Sequence, residues 1–498
     1  MKLNKKGAVI QLSGMMIVTL ITQFLSIYKS SLIAANFGVS VEMDAYHFAN
    51  NLSTFFLTFI SSGITTVIIP AYIKKIDRKA IDSFITIIFS AVGFLLLLVF
   101  LFRGQLVQVL VDRDATFNNF VSDYMLLTMW IQILPAILSV TTAYYQCINH
   151  FVVPKTVLML SNIGIIIAIL MYDEFSVHQY LLLLLAGALF QFILDVSIVV
   201  KLGFRFVPTL DIHNTELKEL LHIFLPTIFS TGIYKINTMV DALLSSNIGE
   251  GQLTILSYAD GIVGMINTLV IGNLTVYVYP KIVERIKISQ QECQRSLWLY
   301  SVAFHAVVCL IIVGFVASGR EFIGILYEHG KFTSEAADAV YLCMCIYVFG
   351  QQTNIVRDLI YRYFYTNKNT KSTVKNGLIT SITNITVSII LVKPFGVYGI
   401  ILGTVIAGIV SVIMITIRMK NNYGFMIPMK PIITDFCKTE VCTVLGIVLV
   451  LVIKHIFPQM NIFMSFFFFG FISIVVYVLC LLLVRSSLIS YVKGAKVF

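Results

Sequence analysis

The sequence predicts an all-α, polytopic membrane protein of about 14 transmembrane helices: two six-helix lobes related by an internal repeat, plus two extra C-terminal helices. Three observations predict this. Of 498 residues, 58% are hydrophobic and only 12% charged, and mean hydropathy is +0.91; no soluble globular chain of this length has that balance. Apolar segments of roughly 20 residues, the length that crosses a bilayer, recur along the whole chain. Finally, two stretches spell nearly the same thing. Ile27-Tyr28-Lys29 leads to Gly38, Asp44-Ala45-Tyr46 and Pro70-Ala71-Tyr72-Ile73-Lys74, whereas Ile233-Tyr234-Lys235 leads to Gly249, Tyr258-Ala259-Asp260 and Pro280-Lys281-Ile282-Val283-Glu284. A duplicated lobe with charged groups inside apolar spans is the signature of a transporter with a central cavity.

The first segment, 8–34, follows the basic start Met1-Lys2-Leu3-Asn4-Lys5-Lys6. Its apolar run continues past the length of a signal peptide without a small-residue cleavage site, so it reads as a retained span. Segments 45–70, 82–102, 120–146, 153–171 and 179–200 complete an N-lobe, 1–200. A cytoplasmic linker, 201–218, carries Pro208 and the polar run Asp211-Ile212-His213-Asn214-Thr215-Glu216. The C-lobe, 219–418, holds segments 219–245, 252–280, 296–318, 337–364, 373–392 and 396–417. Segments 438–456 and 462–484 belong to neither copy and share the region 419–498 with a cytoplasmic tail. The repeat also pairs Tyr144-Tyr145 and Pro154-Lys155-Thr156-Val157 with Tyr361-Arg362 and Lys371-Ser372-Thr373-Val374. Because the motifs keep like-for-like order, the repeats are parallel, related by an axis along the membrane normal, and substrate is expected where the lobes meet. Gly399 and Gly403 form Gly-x-x-x-Gly in span 12, a pattern of helix packing.

The net charge of +10 is a matter of topology. Lys74, Lys75, Arg78 and Lys79 share one loop; Lys281, Arg285, Lys287 and Arg295 another; Lys368, Lys371 and Lys375 a third; Arg418, Lys420, Lys430 and Lys438 a fourth. With a cytoplasmic N-terminus these are all inside loops, while Asp173-Glu174 and Glu250 fall outside. This positive-inside pattern places both termini in the cytoplasm and gives no reason to expect nucleic acid. The polar stretches are too short to form an extramembrane catalytic domain, and no Gly-x-x-x-x-Gly-Lys-Ser/Thr loop occurs. A nucleotide-driven pump is therefore not expected, nor is an enzyme in the bond-breaking sense. A polysaccharide polymerase or ligase would need a catalytic acid or histidine on a sizeable outer loop. Eight cysteines without a Cys-x-x-Cys suggest neither a disulfide framework nor a metal centre. His305, alone within its span, reads as a hydrogen-bonded packing residue.

Several motifs carry a family resemblance. Phe37-Gly38-Val39-Ser40-Val41-Glu42-Met43-Asp44-Ala45-Tyr46 resembles the "FGAS…TDAFF" signature of MviN/MurJ-type lipid II flippases. Leu256-Ser257-Tyr258-Ala259-Asp260 is similar to their "YAD" motif, and Leu326-Tyr327-Glu328-His329-Gly330-Lys331-Phe332 to "LFERGAF". The most specific match is Arg362-Tyr363-Phe364-Tyr365-Thr366-Asn367-Lys368-Asn369-Thr370-Lys371-Ser372-Thr373-Val374-Lys375, which resembles "RAFYARxDTKTPVK". The resemblance implies the fold of the multidrug/oligosaccharidyl-lipid/polysaccharide exporter superfamily. It also implies transfer of a polyprenyl-diphosphate-linked saccharide, lipid II or another polysaccharide repeat unit, across the bacterial cytoplasmic membrane. The implied partners are that lipid-linked saccharide, membrane lipid and, as candidates, cell-envelope biosynthesis proteins. No cofactor is implied, and the driving force would be sodium, protons or membrane potential. The alternative within the superfamily is a cation-coupled drug antiporter. Where the family carries cavity arginines, this chain has Gln23 and Lys29, Leu57 and Thr58, and Gly261 after Asp260.

A diphosphate head group entering such a cavity needs cationic partners. Lys29 and Lys235, at matched places in the two lobes, are the first candidates for substrate binding, with Arg357 beside them. A mid-helix lysine facing lipid costs about 2.5–3.5 kcal/mol, which a wet cavity or snorkelling to an interface relieves. Asp44 and Asp260 are expected to pair with the lysines and hold one face closed; for Asp44 a helix N-terminal acid answering the dipole is the alternative. Arg357 and Asp358 are adjacent, about 100° apart around the helix, and are not expected to pair with each other. Arg362 reads as an interfacial anchor and Asp195 as facing the lobe interior. The resemblance to cation-coupled carriers makes Asp241 in span 7, with Asn384 and Ser388 in span 11, candidates for a sodium site, oxygen ligands suiting a hard cation; a buried polar contact between helices is the alternative.

Overall fold

Fourteen helical rods follow one another in the computed structural model, which describes residues 5–74, 76–457 and 460–484. Met1–Asn4 of the basic start, Lys75 of the first basic loop and the tail beyond 484 lie outside the described residues. The rods are α1 (Lys5–Phe37), α2 (Val41–Lys74), α3 (Arg78–Leu110), α4 (Ala115–Cys147), α5 (Val152–Leu170), α6 (Val177–Lys201) and α7 (Thr215–Ile248). There follow α8 (Gln252–Ile266), continued through a π-helical stretch (Asn267–Gly272) into α9 (Asn273–Ile286), then α10 (Gln290–Tyr327) and α11 (Ser334–Thr366). The last are α12 (Thr370–Phe395), α13 (Val397–Tyr423), α14 (Met429–Ile456) and α15 (Ile462–Leu483). Each rod contains one predicted segment, so the all-α fold class stands. Among the described residues, 12 helical segments are long and apolar enough to cross a membrane. The two rods outside that group are α2 and α7, 34 residues each; both carry internal charge, Asp44 in one and Lys235 and Asp241 in the other.

Local chemistry sets the boundaries. Ser176 and Gln179 form a capping box at the start of α6. Asn214, Ser289, Thr333 and Asn369 accept from the first backbone N–H groups of α7, α10, α11 and α12, satisfying donors that a helix start leaves open. At the other ends the chain turns through left-handed glycines, Gly38 at φ 60° after α1 and Gly424 at φ 68° after α13.

By packing, the chain divides into two compact units, Met1–Thr254 and Ile255–Phe498. In the first, α2 lies against α4 and α7, α1 against α5, and α6 against α4 and α5. By contact α7 thus groups with the first six helices. In the second, α11 packs on α10 and α13, α12 on α13, and both α14 and α15 on α10. The Gly-x-x-x-Gly of α13 serves packing: a Cβ on Gly399 would meet the Leu391 carbonyl oxygen at 2.1 Å, and one on Gly403 would meet Ser388 Oγ at 2.2 Å. Large apolar side chains such as Phe94, Phe100, Phe467 and Phe471 are exposed, as lipid-facing surface requires.

Alternate loops meet within each unit. In the first, Lys74 pairs with Glu219 at 3.6 Å, and the Asp77 N–H donates to Glu216 at 2.6 Å, joining the α2–α3 loop to the start of α7. In the second, Gln290 donates to Asn367 at 2.7 Å and Gln294 to the Gly424 carbonyl at 2.9 Å. These loops are ones that the charge pattern assigns to a single side.

Candidate functional site

The first unit builds its polar centre around Asp44, in the first turn of α2 and fully buried. Its Oδ1 accepts from the Thr254 backbone N–H at 2.8 Å and from the Thr254 hydroxyl at 2.7 Å. Its Oδ2 accepts from the Gly251 N–H at 2.6 Å and from Arg113 at 3.2 Å. The carboxylate therefore caps a helix other than its own, using the open donors and positive dipole end at the start of α8. Gly251 makes that possible: its φ is +79° and a Cβ there would lie 2.1 Å from Val39 Cγ1, so both the backbone turn and the close approach require glycine. Arg113, on the α3–α4 loop, also stacks 4.1 Å from the centre of the Phe117 ring. Nearby, the Asp112 N–H donates to Asn247 at 3.3 Å, so the α1–α2, α3–α4 and α7–α8 connections are knotted together at one end of the unit.

This corrects the expected pairing of Asp44 with a lysine. Arg113 holds that place because it rises from a loop at the same end, whereas Lys29 lies two helical turns below the top of α1. Lys29 instead donates to Asn162 Oδ1 of α5 at 2.8 Å, and Asn162 is buried. The lysine is thus turned into the unit rather than snorkelling outward. Lys235 is half-buried on α7, and Asp260 is exposed on α8. Asp195 faces the interior as expected, accepting from Thr141 at 2.6 Å.

In the second unit, Arg357 does pair with its neighbour: Nε and a terminal nitrogen donate to Asp358 Oδ1 at 3.1 and 3.0 Å. This corrects the sequence expectation: although adjacent residues point about 100° apart around a helix, a long, flexible arginine stem folds back across that angle. Arg362 rests over Tyr279 and Tyr365, 5.5 and 5.9 Å from their ring centres. Of the oxygens read as a sodium site, Asp241 is half-buried on α7 in the first unit. Asn384 and Ser388 are buried on α12 in the second. Ser388 donates to Asn384 Oδ1 at 2.9 Å and approaches the Ile400 carbonyl at 3.3 Å, which ties both residues to the α12–α13 packing. Sequence reading missed Arg113, Thr254 and Asn162. The run Asp112-Arg113-Asp114 in so short a connection was the available signal for the first; the other two are ordinary polar residues in apolar helices.

Comparison with known proteins bears on the whole chain. Residues 33–472 match the model of a family described as lipid II flippase MurJ. Among curated relatives, a probable lipid II flippase MurJ of Rickettsia prowazekii is 23% identical over 465 residues, 89% of each chain. One of Thermotoga maritima is 21% identical over 416 residues, covering 81% of this chain and 84% of that protein. Among solved structures, a lipid II flippase MurJ in an inward closed conformation superposes with a TM-score of 0.80 at 22% identity, over 95% of this chain and 98% of the other. An inward-facing multidrug resistance MATE transporter of the MOP superfamily gives 0.62 at 12% identity, over 86% and 98%.

Proposed function

This chain belongs to the lipid II flippase MurJ family, and from that premise we propose that it carries a polyprenyl-diphosphate-linked saccharide, lipid II or a closely related unit, across the bacterial cytoplasmic membrane by alternating access. The observation that carries the mechanistic part is the Asp44 knot. Four donors from two other connections converge on one buried carboxylate, so that end of the first unit opens only when all four bonds yield together. On the topology read from the basic loops this is the outer end, with both termini in the cytoplasm, and the knot would hold it shut while substrate enters from inside. In this reading Asp44 closes one face, through Arg113, Gly251 and Thr254 rather than the lysines.

Lys29 is the residue assigned to the head group. Its ammonium donates to the neutral Asn162 amide oxygen, and a diphosphate would replace that neutral acceptor with an anionic one. Such bonds contribute about 1.5–3 kcal/mol, roughly 10- to 150-fold. Lys29→Ala should therefore lower the rate of lipid II transfer in reconstituted vesicles by that order, and Lys29→Arg should retain most of it. Transfer by Lys29→Ala at the unaltered rate would remove the lysine from the substrate path. Depletion of the protein in cells should cause a lipid-linked intermediate to accumulate on the cytoplasmic side. Coupling is assigned to an ion gradient or the membrane potential, and collapsing each in turn on the same vesicles identifies which one drives transfer.

A further inference from the structure

In the second unit, α10 and α14 bring together three side chains that the transport reading does not use. His305 and Cys309 lie one turn apart on α10, and Glu440 faces them from α14; one ligand-type atom from each falls within 4.8 Å of the other two. His305 Nε2 lies 3.0 Å from Glu440 Oε1. Cys309 Sγ lies 3.6 Å from His305 Nδ1 and 4.0 Å from Nε2. His305 and Cys309 are buried, while the Glu440 side chain is 42% exposed, which leaves a way in from one side.

The hydrogen-bond arithmetic leaves a gap between His305 and Glu440. The Thr439 hydroxyl donates to the Phe436 carbonyl at 2.8 Å. Its oxygen is therefore the acceptor for His305 Nδ1, 3.0 Å away, and the ring proton of a neutral imidazole sits on Nδ1. Nε2 then turns a lone pair toward a carboxylate oxygen at hydrogen-bond distance. Two acceptors face each other, and something positive must lie between them.

We propose that this cation is a divalent metal of borderline softness, zinc by the chemistry of the donor set, bound by His305 Nε2, Cys309 Sγ and Glu440 Oε1. Tetrahedral zinc with nitrogen, oxygen and sulfur ligands separates them by about 3.3–3.6 Å, within reach of the observed spacing by small side-chain rotations. Thr439 plays the part of the outer partner that fixes the tautomer and orientation of a ligating histidine. Gln352 Oε1, 3.8 Å from Cys309 Sγ, is placed to serve as a fourth ligand. The charges also close: a dication with one thiolate, one carboxylate and one neutral imidazole is neutral overall, which a site at membrane depth favours. Binding displaces two protons to solvent, the one held between His305 and Glu440 and that of the Cys309 thiol, as the metal–ligand bonds form. The ion would pin α14, one of the two helices outside the repeat, to α10. A metal centre is absent from the sequence expectations because its third ligand is more than a hundred residues from the other two; His-x-x-x-Cys on one helical face was the only local sign.

The test uses the full-length protein in detergent, stripped with chelator and then equilibrated with zinc alone or with cobalt as a spectroscopic probe. The expected result is one zinc per chain by elemental analysis and, with cobalt, a thiolate-to-metal charge-transfer band. Both should be lost in Cys309→Ser and in His305→Gln, and Thr439→Val should weaken binding by about 10- to 100-fold. Absence of stoichiometric metal, or a cobalt spectrum unchanged in Cys309→Ser, would overturn the proposal and assign the gap to a proton. Because either substitution could disturb packing, the wild-type chain supplies a second readout: X-ray absorption of the zinc-loaded protein should show one sulfur at about 2.3 Å beside nitrogen and oxygen at about 2.0–2.2 Å, and a shell without sulfur would equally refute the site.

Discussion

Asp44 and Asp260 occupy corresponding motifs of the two repeats, yet their surroundings are opposite. Asp44 is fully buried under four donors; Asp260 is exposed on the surface of α8. Position along the helix accounts for the difference. Asp44 lies in the first turn of α2, where it can reach beyond its own helix to the open N–H groups that begin α8. Asp260 lies two turns into α8 from Gln252, where backbone donors are already used within the helix. A repeated sequence motif therefore does not deliver a repeated site. Which end of a helix an acid falls at decides whether it locks connections together or stays open to solvent.

The strongest way to break this comparison is to remove the lock. Asp44→Ala leaves the Arg113 guanidinium largely buried without its carboxylate, along with the Gly251 and Thr254 donors. Removing one partner of a buried pair costs about 3–5 kcal/mol. The expected outcome is a melting temperature in detergent well below that of the wild type and, on the proposed gating by this knot, loss of lipid II transfer even where protein folds. A melting temperature equal to wild type would mean that the four bonds contribute nothing to holding these connections.

A smaller effect tests the backbone that lets the lock form. Gly251→Ala must place a methyl group against Val39 while keeping a left-handed φ of +79°. Overpacking and strain of this kind cost about 1–3 kcal/mol. If the Asp44 knot is what suffers, Gly251→Ala added to Asp44→Ala should cost less than the sum of the two alone. Strict additivity in thermal melts would show that the turn and the carboxylate act independently.

Much of this architecture was legible in the chain, for reasons that particular residues make plain. The fourteen rods follow from apolar runs because the bilayer leaves no other option for the backbone. The charge pattern assigns the Lys74 loop and the start of α7 to one side, and the two do meet. The partners of Asp44 were not legible, since Thr254 stands 210 residues away, and hydropathy says nothing about which loop crosses which. Lys29 illustrates the same limit: its cost in an apolar span was evident, but its relief by Asn162 depends on α1 lying against α5. The Arg357–Asp358 pair departs from expectation for a local reason, the reach of a flexible arginine side chain.

The smallest expected change in stability is also the sharpest discriminator between the two acids. Asp260→Asn removes a charge from an exposed side chain, so the melting temperature should move little, corresponding to about 0.5 kcal/mol or less for a surface site. Transport is a separate matter. A carboxylate within an apolar helix that faced lipid would carry a penalty of about 2.5–3.5 kcal/mol, and Asn would relieve it and raise the melting temperature. A carboxylate facing water carries no such penalty, so Asn would leave the melting temperature alone and alter only what the acid does for a passing cation or head group. The expected pattern is therefore unchanged melting with reduced lipid II transfer. A fall in melting temperature as large as that of Asp44→Ala would show that the two motifs do the same structural work after all, and a rise would place Asp260 against lipid.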